Sequence, residues 1–584
     1  MCGIFGVVNY DGLNMDKVLR LLSHRGPDDS GIWTDKGVIF GHCRLSIIDI
    51  EGGKQPWVEG NRALVYNGEV YNFLDLQKEL IERGIRFKSR SDTEVVFKVL
   101  DVYGVEGIKR FNGMFAFGYW DGKRLVLARD RFGIKPLYWT KKGNILAFSS
   151  EIKPLLTLPF VKKSPNLEAL KYHITFLWCP HPLTAFEGIY KLPPGNVLMY
   201  EDGKVKVFAF YKPELCEDKV EPDDIKDALE KSVKMHLIAD VEVGIFLSGG
   251  LDSSAIASFT ERPLRAFSLV FEGEDIKRDI FSDEYKYAKI VANRFGHSLQ
   301  PIKVRFNEGD FEKVVYHLEE PVGDGAAISN YLLSKGAREM GLKVALAGTG
   351  GDELWGGYPR YRALIIAKNF PFLKYIPELP FSSGKLGRLA RDINKFKTAA
   401  SKPFPLNYLT WMSYYQGFGD VFERLIEEFP KGDMLNSCML FDIKHFLPDH
   451  NLLYTDKTSM AVGLEIRVPM LNNELLELAL KTPSNLKVDM FSGKKILKKV
   501  LNGVLPREII YRKKAGFGAP VKGWISGVLR EKVKGIKSDP LIREILPGHF
   551  VEYVIFENLK GRGFTYLTIF ELLTISTWRK LFGL

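Results

Sequence analysis

Residues 241–254 read VEVGIFLSGGLDSS. The run 241–247 is short and apolar, the SGG that follows is a turn of small residues, and 254–259 continues with helical spacing. The unit is strand, turn, helix. It recurs downstream, where the apolar run 343–346 enters GTGGDE (348–353). Strands alternating with helices predict a parallel, doubly wound α/β sheet. From about residue 360 helical patterns dominate to Leu584. Upstream, the first 200 residues differ: 37–48, 63–66, 113–120 and 125–128 read as strands, while 73–83 and 93–103 read as helices with Gly84 and Gly104 just beyond them. That grammar predicts an α+β layered domain. KLPPG (191–195), a strand-like 196–200 and the acidic loop 213–224 mark the connection, so the domains are expected at 2–210 and 211–584.

A chain of 584 residues with 46% hydrophobic and 26% charged residues has ample core and excludes disorder or a fibrous repeat. The net charge of +11 is spread through both halves, which predicts a solvated surface rather than a nucleic-acid arm. No apolar run approaches the roughly 20 residues that span a bilayer, and no leader pattern opens the chain. Five dispersed cysteines (Cys2, Cys43, Cys179, Cys216, Cys438) contain no CxxC pair and make a poor disulfide framework. A cytoplasmic protein is expected. HExxH and EF-hand spacings are absent as well, so no structural metal site is read from the sequence.

Two constellations carry chemistry. Removal of Met1 would leave the Cys2 thiol beside a free α-amine, whose pKa of about 7.7–8.0 suits it to accept the thiol proton. Asn67 and Gly68, in YNGEVYN (66–72), offer an amide and a backbone N–H for an oxyanion, although NG alone is only a turn. Arg44 supplies a fork for a carboxylate and Asp92 an acceptor for an ammonium group, the two charges of a free amino acid. SDTE (91–94) reads equally as a capping box. The second constellation is the loop Ser248, Gly249, Gly250, Asp252 and Ser253, which suits a phosphate chain at a helix N-terminus. GxxxxGK[ST] is absent, so the loop is not that of a P-loop enzyme. Asp252 and Asp352, with Glu353 beside the latter, could share Mg²⁺ on a polyphosphate.

MCGIFG, SHRGPDDSG (23–31), GHCRLSIID (41–49), YNGEVYN, SDTEV (91–95), FNGMFAF (111–117) and ARDRFGIKPLYW (128–139) together resemble class II glutamine amidotransferase domains. The resemblance implies an N-terminal-nucleophile αββα sandwich that hydrolyses glutamine. It casts Cys2 as nucleophile, Asn67 and Gly68 as the oxyanion hole, and Arg44, Asn67, Glu69 and Asp92 as the glutamine site. Cys43 departs from the pattern and is read as a packed strand thiol. SGGLDSS (248–254) resembles the loop of ATP pyrophosphatases. With LEEPVGD (318–324), LAGTGGDELWGGY (346–358), DKTSMAVGLEIRVPML (456–471) and RKKAGFGAP (512–520), the chain is similar to the glutamine-dependent asparagine synthetases. That implies ATP as substrate with Mg²⁺ at Asp252 and Asp352, and an adenosine pocket at Leu247, Leu269, Ala347 and Gly348. It also implies catalytic charge neutralisation by Lys514, which as a bare sequence feature could belong to a solvated basic run, and an internal route for ammonia.

Two positions depart from the family. Thr349 stands where Glu or Asp is usual, and Asn472 where PFLD would place Asp. Both keep the acceptor carboxylate open. The expected reaction is amidation of aspartate through β-aspartyl-AMP, on small-molecule substrates, without nucleic acid or membrane; a homodimer is compatible with it. The alternatives are amidation of another carboxylate on a sugar, cell-wall precursor or peptide, a binding protein with a vestigial second site, and a nucleic-acid-modifying ATP pyrophosphatase.

Overall fold

The computed structural model describes residues 2–272, 284–379, 384–513, 518–559 and 566–584. Two six-stranded antiparallel sheets come first. One orders Tyr190–Lys191, Tyr138–Lys142, Ile145–Ser149, Cys2–Val8, Val38–Arg44 and Asp29–Asp35; the other orders Lys204–Ala209, Asn196–Glu201, Leu125–Arg129, Gly113–Trp120, Arg62–Val70 and Trp57–Glu59. Successive side chains of a strand point to opposite faces. In Cys2–Val8, Ile4 and Val8 accordingly meet Val65, Ala116 and Leu127 of the second sheet, while Phe5 and Val7 pack with Val18 and Leu22 of the helix Met15–Leu22. Buried on both faces, this strand is apolar throughout and shows no alternation. On the far side of the second sheet, Leu76 and Leu80 of Phe73–Glu82 and Val96 and Leu100 of Asp92–Tyr103 cover Tyr66, Phe115 and Phe117. The result is the four-layer αββα sandwich.

The third sheet is parallel, in the order Ser298–Val304, Arg265–Phe271, Val243–Phe246, Val344–Leu346, Glu465–Arg467. The chain builds outward from Val243–Phe246 to one side, then returns to place Val344–Leu346 on the other. Ligands of such sheets bind outside the carboxyl ends of the strands where the order reverses. Here that point lies between LSGGLDSS and AGTGGDE. The helix after the first strand spans Leu251–Ser258, three residues earlier than the periodicity predicts, with Gly250 at its N-cap. Helices form most of the rest, interrupted by a π-helical segment at Asp442–Asn451 that leads into the helix Leu452–Met460. Among the described residues no helix is long and apolar enough to cross a membrane.

Candidate active sites

Cys2 lies at the start of its strand, paired in register with Arg44 and buried. Its backbone nitrogen donates to Asn67 Oδ1 at 2.9 Å. Asn67 is fully buried, and its Nδ2 has no hydrogen-bond partner among the described residues. A buried amide donor left unpaired is costly unless something arrives to accept from it. Gly68 follows in a place where only glycine fits, since an added Cβ would lie 2.1 Å from the Met114 carbonyl oxygen. We expect Gly68→Ala to push the paired strands Arg62–Val70 and Gly113–Trp120 apart and lower the melting temperature. An unchanged melting temperature for that variant contradicts the close approach.

Arg44 holds the loop beside the thiol, donating to the carbonyls of Ile48, Asp49 and Ile50 at 3.1, 2.7 and 2.7 Å. Asp92 accepts from the Tyr66 hydroxyl at 2.8 Å and Val70 N at 3.1 Å. Ser91 caps its helix through Thr93 N, but Glu94 turns to Lys88 N and Ser89 N, so the capping box does not close. Glu69 faces Arg467 of the parallel sheet at 3.3 Å. Burial raises the Cys2 thiol above its ordinary pKa, and it pushes Cys43 up to about 12. The Cys43 thiol donates to Leu19 O at 3.4 Å and is packed in the strand as expected.

Arg25, quoted above within SHRGPDDSG without a role, is fully buried and holds this site to the rest of the chain. Its Nε donates to Cys2 O at 3.0 Å, Nη1 to Glu151 at 2.8 Å and Nη2 to Asp456 at 2.8 Å. Asp456 lies on the helix Leu452–Met460 and faces Lys135 at 3.5 Å. Nearby Lys153 pairs with Glu151 at 2.9 Å and Glu319 at 2.8 Å, and Lys457 also pairs with Glu319. Removing one partner of a buried ion pair strands the other charge, a loss of about 3–5 kcal/mol. We expect Asp456→Ala to lower stability by that order, read as a fall in the urea midpoint; an unchanged midpoint contradicts the assignment.

At the strand reversal, Gly249 adopts φ +66° and the Ser248–Ser254 loop ties itself, Ser248 N donating to Ser253 Oγ at 3.3 Å and Gly250 N to Ser248 Oγ at 3.2 Å. Arg512 donates to the carbonyls of Ser248 and Gly249 at 3.2 and 3.1 Å. GTGG backs directly onto this loop: a Cβ on Gly351 would lie 2.6 Å from the Asp252 carboxylate, and one on Gly348 would lie 2.8 Å from Ser253 N. Asp252 and Asp352 are thereby brought together, and both pair with Lys494, which stands 2.7 Å from Asp352 Oδ1. Burial works against the Lys494 ammonium, but the two carboxylates override it and raise its pKa. Lys494 occupies a left-handed conformation, φ +54°, a strained state for a lysine of the kind concentrated at functional sites. SGKK (492–495) carries no signal for this role in the sequence beyond a pair of basic residues. Leu247, just past Val243–Phe246, is buried, and Ala347, just past Val344–Leu346, and Leu269, within Arg265–Phe271, are half-buried. Lys514 lies outside the described residues.

Thr349 is half-buried within the loop. A carboxylate stands close by in sequence, Glu353, which accepts from the Tyr358 hydroxyl at 2.7 Å and Asn451 Nδ2 at 2.6 Å. Burial, with Asp352 adding to it, raises Glu353 to a pKa of about 7. Asn472 is a helix N-cap, its Oδ1 accepting from Glu474 N at 2.9 Å. Asn and Asp cap equally well, so this departure has a local structural explanation.

Residues 224–580 match the asparagine synthase family, and residues 1–211 match the glutamine amidotransferase domain. The chain is 30% identical to glutamine-hydrolyzing asparagine synthetase 1 of Bacillus subtilis (strain 168), over 100% of this chain and 97% of that protein. It is 31% identical to asparagine synthetase 3 of the same organism, over 88% and 87%. A more distant relative is amidase chry2 of Gibberella zeae, 26% identical over 91% of each.

Proposed function

The chain belongs to the asparagine synthase family and is an ATP-dependent amidotransferase ligase, and from that premise we propose that it is a glutamine-hydrolysing asparagine synthetase. It converts L-aspartate, ATP, L-glutamine and water into L-asparagine, AMP, diphosphate and L-glutamate. The reading is carried by the meeting of Asp252 and Asp352 on Lys494 at the strand reversal of a chain whose first strand joins Cys2 to Asn67.

In the first site, Met1 removal turns the nitrogen that already donates to Asn67 into an α-amine able to take the thiol proton. The thiolate attacks the glutamine carboxamide, and the unpaired Asn67 Nδ2 with the Gly68 N–H receives the oxyanion. Arg44 takes the substrate carboxylate while anchoring its loop, and Asp92 and Glu69 face the ammonium. Ammonia leaves, and water releases glutamate from the thioester. Because ammonia protonates in bulk water, it travels inside the chain to the second site. There the Ser248–Ser253 loop receives ATP, with adenosine against Leu247, Leu269, Ala347 and Gly348. The aspartate β-carboxylate attacks the α-phosphorus, diphosphate departs, and ammonia displaces AMP from β-aspartyl-AMP. Asp252 and Asp352 already gather a cation between hard oxygen donors, a set that fits Mg²⁺. They would hold the ion, which when bound screens phosphate charge. Lys494 and Lys514 add their own neutralisation. Such chemistry on free metabolites belongs in the cytoplasm.

The test is incubation with glutamine, ATP, Mg²⁺ and aspartate, quantifying asparagine, AMP and diphosphate, with aspartate omitted as control. Equal aspartate-dependent yields of the three are expected. Glutaminase activity without aspartate-dependent AMP contradicts the choice of acceptor and favours a second reading, amidation of a different carboxylate. That reading draws on Thr349 and on the amidases among the relatives. Thr349→Glu separates them further: the variant should retain asparagine formation if aspartate is the acceptor, and inactivation would point to a rebuilt pocket.

A further inference from the structure

The π-helical segment Asp442–Asn451 carries two residues that neither reaction uses. His445 and Asp449, four apart, face His181 in the loop after the helix Leu167–Phe176. One ligand atom from each of these three residues lies within 4.8 Å of the other two. His445 is only 2% exposed, yet among the described residues neither of its ring nitrogens has a hydrogen-bond partner. A buried imidazole left in that condition loses the solvation of a donor and an acceptor at once. Asp449 Oδ2 accepts from His181 N at 2.9 Å and lies 2.7 Å from His181 Nδ1, while its Oδ1 accepts no hydrogen bond among the described residues. The two imidazole rings stack at 5.2 Å with their planes 9° apart. On the outer side the exposed Glu428 brings Oε2 to 3.5 Å from His445 Nε2. Lys191 pairs with Asp449 Oδ1 at 3.6 Å, donates to Cys179 O at 2.7 Å and faces Glu320 at 3.8 Å, so it shares its charge between the two carboxylates.

Two imidazoles and a buried carboxylate, with a second carboxylate at the solvent edge, are the donor set of a borderline divalent cation rather than of Mg²⁺ or Ca²⁺, which take oxygen. We propose that His181, His445 and Asp449 form a binding site for a zinc-class divalent cation, with the exposed Glu428 carboxylate at its outer edge and water completing the coordination. Ligand bonds of about 2.0–2.2 Å set the ligand atoms of a tetrahedral site roughly 3.4 Å apart, so the cluster must draw inward from its present spread of up to 4.8 Å. The cation clips the π-helical segment to the His181 loop. That same segment ends at Asn451, whose amide holds Glu353 next to Asp352, so the clip also steadies one wall of the nucleotide site. The site is separate from the proposed Mg²⁺ position at Asp252 and Asp352, and it does not depend on which carboxylate the enzyme amidates.

The test uses full-length, chelator-treated, nucleotide-free protein titrated with Zn²⁺ and Co²⁺. One equivalent of Zn²⁺ is expected to bind and raise the melting temperature, reversibly on adding chelator. Co²⁺ should give the visible absorption of a four-coordinate imidazole site. His445→Gln and His181→Gln should each weaken binding by about 100-fold or more, on the scale of losing a ligand rather than a supporting contact. Asp252→Asn should leave this equivalent in place. Absence of a stoichiometric ion and of a melting shift in the wild-type protein overturns the proposal without recourse to any variant. Binding that survives undiminished in both histidine variants, or that disappears in Asp252→Asn instead, overturns it as well.

Discussion

Cys2→Ala should abolish glutamine-dependent synthesis while ammonia still supports product formation within about twofold of wild type. The loss should be on the order of 10³-fold or more, because alanine removes the thiol that the covalent step requires. Cys43 cannot stand in for it: its thiol is bonded to Leu19 O and pushed up to about 12. Ammonia-dependent turnover should persist because the substitution removes one sulfur and leaves the main-chain contacts of residue 2 in place. Cys2 N still reaches Asn67 and Cys2 O still receives Arg25. The ion network from Arg25 to Asp456 therefore survives. The measurement is AMP formation with glutamine and, separately, with ammonium chloride. Loss of both activities contradicts the division of labour between the two sites.

Asp252→Ala should give the complementary result. Diphosphate release should fall by about 10²–10³-fold, the scale of losing one preorganised electrostatic group at a reacting phosphate, while basal glutaminase activity is unchanged. Asp252 acts at three points: it opens the helix Leu251–Ser258, it packs against Gly348 and Gly351, and it shares Lys494 with Asp352. Alanine keeps the helix and the packing and removes only the carboxylate. Lys494 then rests on Asp352 alone, and the oxygen donors proposed for Mg²⁺ are halved. Diphosphate release at the wild-type rate would mean that ATP binds elsewhere.

Much of this architecture is legible along the chain. The apolar runs before SGGLDSS and GTGGDE became the central strands of the parallel sheet, and the strand-rich first 200 residues, joined by the edge strand Lys204–Ala209, became the two antiparallel sheets. Other strands left little trace. Arg265–Phe271 and Ser298–Val304 mix polar and apolar residues, and Glu465–Arg467 is three residues long with two charges. Its charges are tolerated because they pair with each other at 2.6 Å and, through Arg467, with Glu69.

By itself, the sequence determined the local conformations and the chemistry available: strand and helix periods, turns that demand glycine, a thiol at position 2, and carboxylates beside two strand ends. These depend on residues near one another in the chain, where sterics and periodicity act. Only the tertiary structure decided which distant groups meet. Lys494 reaches Asp252 across the strand reversal, Arg25 joins Cys2 to the distant Asp456, and His181 finds His445 and Asp449, groups that lie far apart along the chain. The physical reason is burial. A buried charge or imidazole is costly until a partner arrives, and the partner is chosen by how the sheets and helices stack rather than by any neighbour in sequence.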